Sequence, residues 1–171
     1  IGTNSLVDDM PFTGVLLPTA QAACSSTKNG KIGVIGTSAT IRSGSFAKAI
    51  KTIRPGTSVY GNACPLFVHL VENGYTDRDN KVTKLVAEEY LAPIKAEGVD
   101  TLILGCTHYP LLEDIIADYM GDSVTLISSG REAAKYAEMC LMERDLLTDR
   151  TEKGTNKFYV SDSIELFEEN A

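Results

Sequence analysis

From Pro11 onward the chain alternates short apolar runs with longer amphipathic stretches. The runs "FTGVLL", "KIGVIGT", "TSVYGNAC", "TLILGC" and "SVTLIS" have the length and β-branched content of buried strands. Between and after them lie "PTAQAACSST", "ATIRSGSFAKAIKTI", "PLFVHLVENG", "NKVTKLVAEEYLAPIKAEG" and "PLLEDIIADYMG", which have helical spacing or helix-friendly composition. In "NKVTKLVAEEYLAPIKAEG", Val82, Leu85, Val86, Ala87, Tyr90 and Leu91 recur at near i, i+3, i+4 steps, with Lys and Glu between them. This order predicts an α/β fold: a mostly parallel sheet with helices on both faces.

The pattern changes after Ser128. One helix-like stretch, "REAAKYAEMCLMERDLL", carries an apolar stripe of Ala133, Ala134, Ala137, Cys140 and Leu141. A charged turn, "TDRTEKGTN", then precedes a strand candidate, "KFYVS", and an acidic helix candidate, "SIELFEENA". This tail is too small to hold a core of its own and is expected to complete something else. The opening "IGTNSLVDDM" has no period of either kind, and its start reads as a cut. Residues 1–10 are therefore expected to be a linker remnant, 11–127 one complete α/β domain, and 128–171 a returning segment of a second.

Composition narrows the function. With 171 residues and 43% hydrophobic content, the chain can hold one core but scarcely two. A net charge of −7 with scattered Lys and Arg argues against nucleic acid as a partner. No window approaches the roughly 18 apolar residues of a membrane span, so a soluble, cytoplasmic protein is expected. Four widely spaced cysteines, Cys24, Cys64, Cys106 and Cys140, form no CxxC pair, and there are only two histidines, His69 and His108. That pattern fits reduced thiols and predicts no metal site.

Candidate chemistry gathers where strands run into helices, the rim at which such sheets place ligands. Three of these junctions are polar: "GTSAT", "ACPLF" and "GCTHYP". In the last, Cys106 stands at the end of a strand, where nearby backbone N–H groups favour a thiolate. Beside it Thr107 can hydrogen-bond a carboxylate and His108 can exchange a proton with thiol or substrate. Tyr109 closes a row of four residues capable of polar chemistry, before Pro110. In "GTSAT", Gly36 permits close approach while Thr37, Ser38 and Thr40 offer hydroxyls to a small anion. The alternative, that Thr40 only caps a helix, stands beside that reading. Glu72 either faces solvent at a helix end or points at the rim. Cys64 has no proton-transfer partner next to it and is read as structural.

Taken together and in this order, "IGVIGTSATIRSG", "ACPLFVHLVENG" and "GCTHYPLL" resemble the glutamate racemases, cofactor-independent members of the aspartate/glutamate racemase superfamily. The resemblance covers roughly Pro11 to Ala134. It implies a flavodoxin-like three-layer domain and interconversion of L- and D-glutamate for peptidoglycan, without pyridoxal phosphate or other cofactor. The implied mechanism uses two cysteines on opposite faces of the substrate: one thiolate takes the Cα proton while the opposing thiol delivers another. Cys106 would be one of that pair, with His108 assisting and Glu72 near the reaction centre. Thr107, Thr37, Thr40 and Asn4 would bind the substrate.

The departures matter as well. The family's first half-domain has no counterpart here, and the region of its other cysteine reads "IGTNSLVDDM", without a Cys. This chain alone is therefore expected to be inactive. His69 stands where the family usually has Pro, and Ser128 where Asp is common; neither is expected to touch the chemistry. If the tail normally packs on another half-domain, its stripe lacks cover, and a homo-oligomer or a mobile tail is expected. The alternatives are aspartate racemisation by the same scheme and a non-catalytic amino-acid-binding or structural unit.

Overall fold

The computed structural model describes residues 13–161 together with Ile164, Phe167 and Glu168. Four strands form one sheet: β1 (Lys31–Gly36), β2 (Ser58–Ala63), β3 (Thr101–Leu104) and β4 (Thr125–Ser128). All pairings are parallel and the order is β2-β1-β3-β4, which places Val34 opposite Gly61 on one side and Ile103 on the other. This is the strand order of a flavodoxin-like sheet. Parallel neighbours need crossovers, and helices supply them: α1 (Leu16–Ser26), α2 (Ser38–Ser43), α3 (Ser45–Ile53), α4 (Leu66–Glu72), α5 (Lys81–Ala96), α6 (Glu113–Met120) and α7 (Ser129–Glu143).

Alternation along the central strands divides the core into two layers. Ile32, Val34 and Ile103 pack with Ala20, Ala23, Phe46 and Ile50 of α1 and α3. Ile35, Leu102 and Leu104 point the other way, into Phe67, Leu70, Leu91, Ile94 and Ile116 of α4, α5 and α6. β3 is buried along its whole length, as a central strand covered on both faces must be.

Several expected elements differ. "FTGVLL" is not a strand; α1 begins at Leu16, two residues before Pro18. Pro18 is tolerated because N–H groups in the first turn of a helix have no acceptor within it, so none is lost, and Ala20, Ala23 and Cys24 then fall on one buried face. The stretch read as one helix from Ala39 is two, separated by Gly44 in the left-handed region (φ 62°). In α5 the buried stripe is Thr83, Ala87, Leu91 and Ile94, while Val82 and Leu85 face solvent. Thr83 sets that phase, since its hydroxyl donates to the Tyr75 carbonyl at 2.7 Å. β2 is an edge strand and only partly covered, not a buried one. Among the described residues "KFYVS" joins no strand and is exposed, whereas Ile164, Phe167 and Glu168 are helical as read. No helix among the described residues is long and apolar enough to cross a membrane.

Candidate active site

The polar segment Cys106–His108 is held between two anchors. On one side the Gly105 amide donates to the Ile35 carbonyl at 2.8 Å, continuing the β1–β3 ladder by one bond. A Cβ at Gly105 would stand 2.8 Å from that same oxygen, so the strand ends on a residue with no side chain. On the other side Tyr109 is fully buried, its ring edge-on to Phe67 with centroids 5.3 Å apart. Its hydroxyl donates to the Cys64 carbonyl at 2.8 Å, and burial pushes its acidity well below that of an ordinary phenol. Tyr109 is thus a structural anchor and not one of four chemical groups in a row. Because the anchors face inward, Cys106, Thr107 and His108 are left on the rim.

There they form a chain of contacts. The Cys106 sulfur lies 3.8 Å from His108 Nδ1, and Thr107 Oγ1 lies 3.5 Å from the same nitrogen. On the far side of the ring, His108 Nε2 is 3.5 Å from Glu72 Oε1. Glu72 reaches it because Phe67, Leu70 and Val71 bury the opposite face of α4 and turn its last residue toward the rim. The other Glu72 oxygen is 3.8 Å from Nδ1 of His69, one turn earlier. His69 therefore contacts a candidate site residue, Glu72, without reaching Cys106 itself. Only its i, i+3 spacing to Glu72 could have signalled this.

Thr37 and Thr40 lie on the neighbouring junction. Thr37, rather than Thr40, is the N-cap: its hydroxyl accepts from the Thr40 amide at 3.2 Å and lies 3.1 Å from the Thr40 hydroxyl. Thr40 also packs toward Gly36 and Gly105, where added Cβ atoms would meet its methyl group at 3.0 and 3.6 Å. The hydroxyl pair is thereby adjacent to the Cys106 turn. Asn4 lies outside the described residues.

The other thiols are placed differently. Cys64 is fully buried, and burial pushes its thiol up to about 12, which keeps it protonated at neutral pH. Cys24 is raised by burial too, against a smaller opposing pull from Arg54, and its sulfur faces the Ile50 carbonyl. Cys140 sits on α7, beside Tyr136. Ser129, not singled out from sequence, is buried and donates to the Leu104 carbonyl at 3.0 Å, tying the start of α7 to the end of β3. Among the described residues no cluster of three or more His, Cys, Asp or Glu could hold a metal ion.

Known proteins resemble this chain in sequence and fold. The chain is 46% identical over 153 residues to a glutamate racemase of Geobacter metallireducens, covering 90% of this chain and 56% of that protein. The crystal structure of a glutamate racemase isoform from Bacillus anthracis matches with a TM-score of 0.76 and 42% identity, over 81% of this chain and 52% of the other. A glutamate racemase from Francisella tularensis, solved in complex with D-glutamate, matches with a TM-score of 0.71 and 34% identity, over 80% of this chain and 49% of the other. The chain thus spans about half the length of these relatives. Residues 5–137 match the Asp/Glu/Hydantoin racemase model. The chain belongs to the Asp/Glu/Hydantoin racemase family.

Proposed function

We propose that this chain supplies one acid/base half of a cofactor-independent glutamate racemase, with Cys106 as the proton-transferring group. The observation that carries this reading is the line of contacts Cys106, His108, Glu72 at the carboxyl end of a central parallel strand. A thiolate at Cys106 takes the Cα proton of glutamate: the Cα–H bond breaks and an S–H bond forms. A second thiol gives its proton to the opposite face of Cα, which inverts the centre and leaves the two sulfurs in exchanged protonation states. His108 resets Cys106 by exchanging a proton through Nδ1, and Glu72 stabilises the imidazolium that forms.

The Cα–H of an amino acid is a very weak acid, so fixed hydrogen-bond donors must carry the developing charge. Thr107 and the Thr37–Thr40 pair are the groups placed to hold the substrate carboxylates. Buried Cys24 and Cys64 cannot act as the opposing thiol. Cys140 lies toward the end of α7, far from Ser129, the residue of that helix tied to the end of β3. The second group is therefore proposed to come from outside the described residues, with 11–127 as one lobe and 128–171 returning as part of another. The whole protein is cytoplasmic, serves peptidoglycan synthesis and associates as a homo-oligomer, the last supported by exposed Met139, Leu141 and Met142 on α7.

Iodoacetamide labelling with and without glutamate tests the assignment. Cys106 should react faster than Cys24, Cys64 and Cys140 and be protected by glutamate; equal, unprotected reactivity favours a non-catalytic unit. Circular dichroism of D- to L-glutamate conversion should show negligible turnover by these 171 residues alone, and robust turnover would refute the half-site reading.

A further inference from the structure

Cys106, Thr107 and His108 lie in a segment that starts where β3 ends, after Leu104, and stops where α6 begins, at Glu113. The first turn of α7 reaches both ends of that segment. Ser129, buried, donates its hydroxyl to the Leu104 carbonyl at 3.0 Å. Two residues on, the Arg131 guanidinium meets the Glu113 carboxylate at two points, Nη1 to Oε1 at 3.4 Å and Nη2 to Oε2 at 3.2 Å. The Ser128 hydroxyl accepts from the Arg131 amide at 3.5 Å and so caps the turn that carries both residues. Among the described residues, every side-chain hydrogen bond that leaves α7 goes to one end or the other of this segment. Within the segment the Tyr109 amide donates to the Cys106 carbonyl at 3.3 Å and the Leu111 amide to the His108 carbonyl at 3.1 Å. Those bonds fix the shape of the turn; the bonds from α7 fix where its two ends stand.

We infer that Ser129 and Arg131 are positioning residues that set where Cys106, Thr107 and His108 stand on the rim, Ser129 through the end of β3 and Arg131 through Glu113. The inference rests on the assignment of Cys106 above. A site that moves a proton at Cα needs its groups held to within about 0.5 Å, and that precision comes from contacts behind them. Here the line of contacts from Thr107 and Cys106 through His108 to Glu72 is built of separations of 3.5 to 3.8 Å, which a small drift of the segment would open. The Glu113 side chain is only 29% exposed, so the carboxylate half of the pair is sheltered. A pair of this kind adds little to folding, yet it favours the held position of the segment over displaced ones by about two- to fivefold. Losing it lowers the fraction of molecules competent to bind glutamate, and the apparent affinity falls by the same factor.

The test is the glutamate concentration that halves the rate of iodoacetamide labelling at Cys106, read by peptide mass spectrometry at low ionic strength, with urea unfolding of each variant measured alongside. Arg131→Gln and Glu113→Gln should each raise that concentration about two- to fivefold, and the double variant no further than either alone, because all three break one pair. High salt should shrink these differences, since the native pair is then screened as well. Ser129→Ala should raise the concentration at low and high salt alike, because its bond is neutral. Lys135→Gln breaks the Lys135–Glu132 pair on the same helix without touching the segment, and should leave the concentration unchanged. A merely structural role would lower the urea midpoints while half-protection stays at the native concentration, and that result overturns the inference. Additive effects in the double variant, or a Lys135→Gln effect equal to that of Arg131→Gln, overturn it too. In each of these cases protection of Cys106 in the native chain leaves the racemase reading standing. No protection by glutamate in the native chain overturns both.

Discussion

Replacing Gly105 with Ala tests why a Gly precedes Cys106. The new Cβ would lie 2.8 Å from the Ile35 carbonyl oxygen, 3.2 Å from a ring carbon of Phe46 and 3.6 Å from the Thr40 methyl. The oxygen is backbone in a central strand and cannot swing aside as a side chain would. It already accepts the Gly105 amide at 2.8 Å, so relief requires the end of β3 to move off β1 and give up that bond. Overpacking of this kind costs about 1–3 kcal/mol and the lost hydrogen bond about 1 kcal/mol more. The expected loss is about 2–4 kcal/mol, a fall of about 1–2 M in the urea midpoint at the usual slope. Cys106 moves with the strand end, so glutamate protection of its labelling should weaken as well. Gly61→Ala is the control, because its Cβ would make only ordinary contact, 3.5 Å from Ile41, and should be near neutral. A Gly105→Ala variant within about 0.5 kcal/mol of the native chain, with unchanged Cys106 labelling, would refute the argument.

Three further outcomes are expected. Cys64, buried and held protonated, should resist alkylation in the folded protein and label only across the unfolding transition; labelling in native buffer at the rate of an exposed thiol would contradict its placement. Tyr109→Phe should cost about 1 kcal/mol in urea unfolding, since it removes one bond to the Cys64 carbonyl while the Phe67 amide still donates there. Burial works to raise Asp100, but hydrogen bonds from the Thr27 hydroxyl and the Asn29 and Lys28 amides outweigh it and hold the carboxyl below the usual range. Its stabilising contribution is therefore present above about pH 4 and is lost as pH falls through the lower folded value, so Asp100→Asn should show a shallower acid limb in stability against pH.

Much of the site was legible in one dimension because its parts are local. Cys106, Thr107 and His108 are consecutive, and a buried run ending in Gly places them at a strand end whatever the rest of the fold does. The α/β class was legible for the same reason: apolar runs of strand length between amphipathic stretches admit few other solutions. The misreadings fall where local pattern is degenerate. "FTGVLL" has a strand's composition, yet with Pro18 next and small residues at Ala20, Ala23 and Cys24 its latter part joins a helix that covers the sheet.

Tertiary structure alone decided the rest. Glu72 was ambiguous until the packing of Phe67, Leu70 and Val71 fixed the rotation of α4 and brought its carboxylate to His108 across 36 residues of sequence. The contact of His69 with the other oxygen is local by contrast, set by i, i+3 spacing on α4. Tyr109, equal to its neighbours on paper, became an anchor because the Cys64 carbonyl waits for it inside the core. Residue type and spacing determine which groups can do acid/base chemistry; only the packing of helices on the sheet determines which of them meet, because those contacts are made by side chains far apart in the chain.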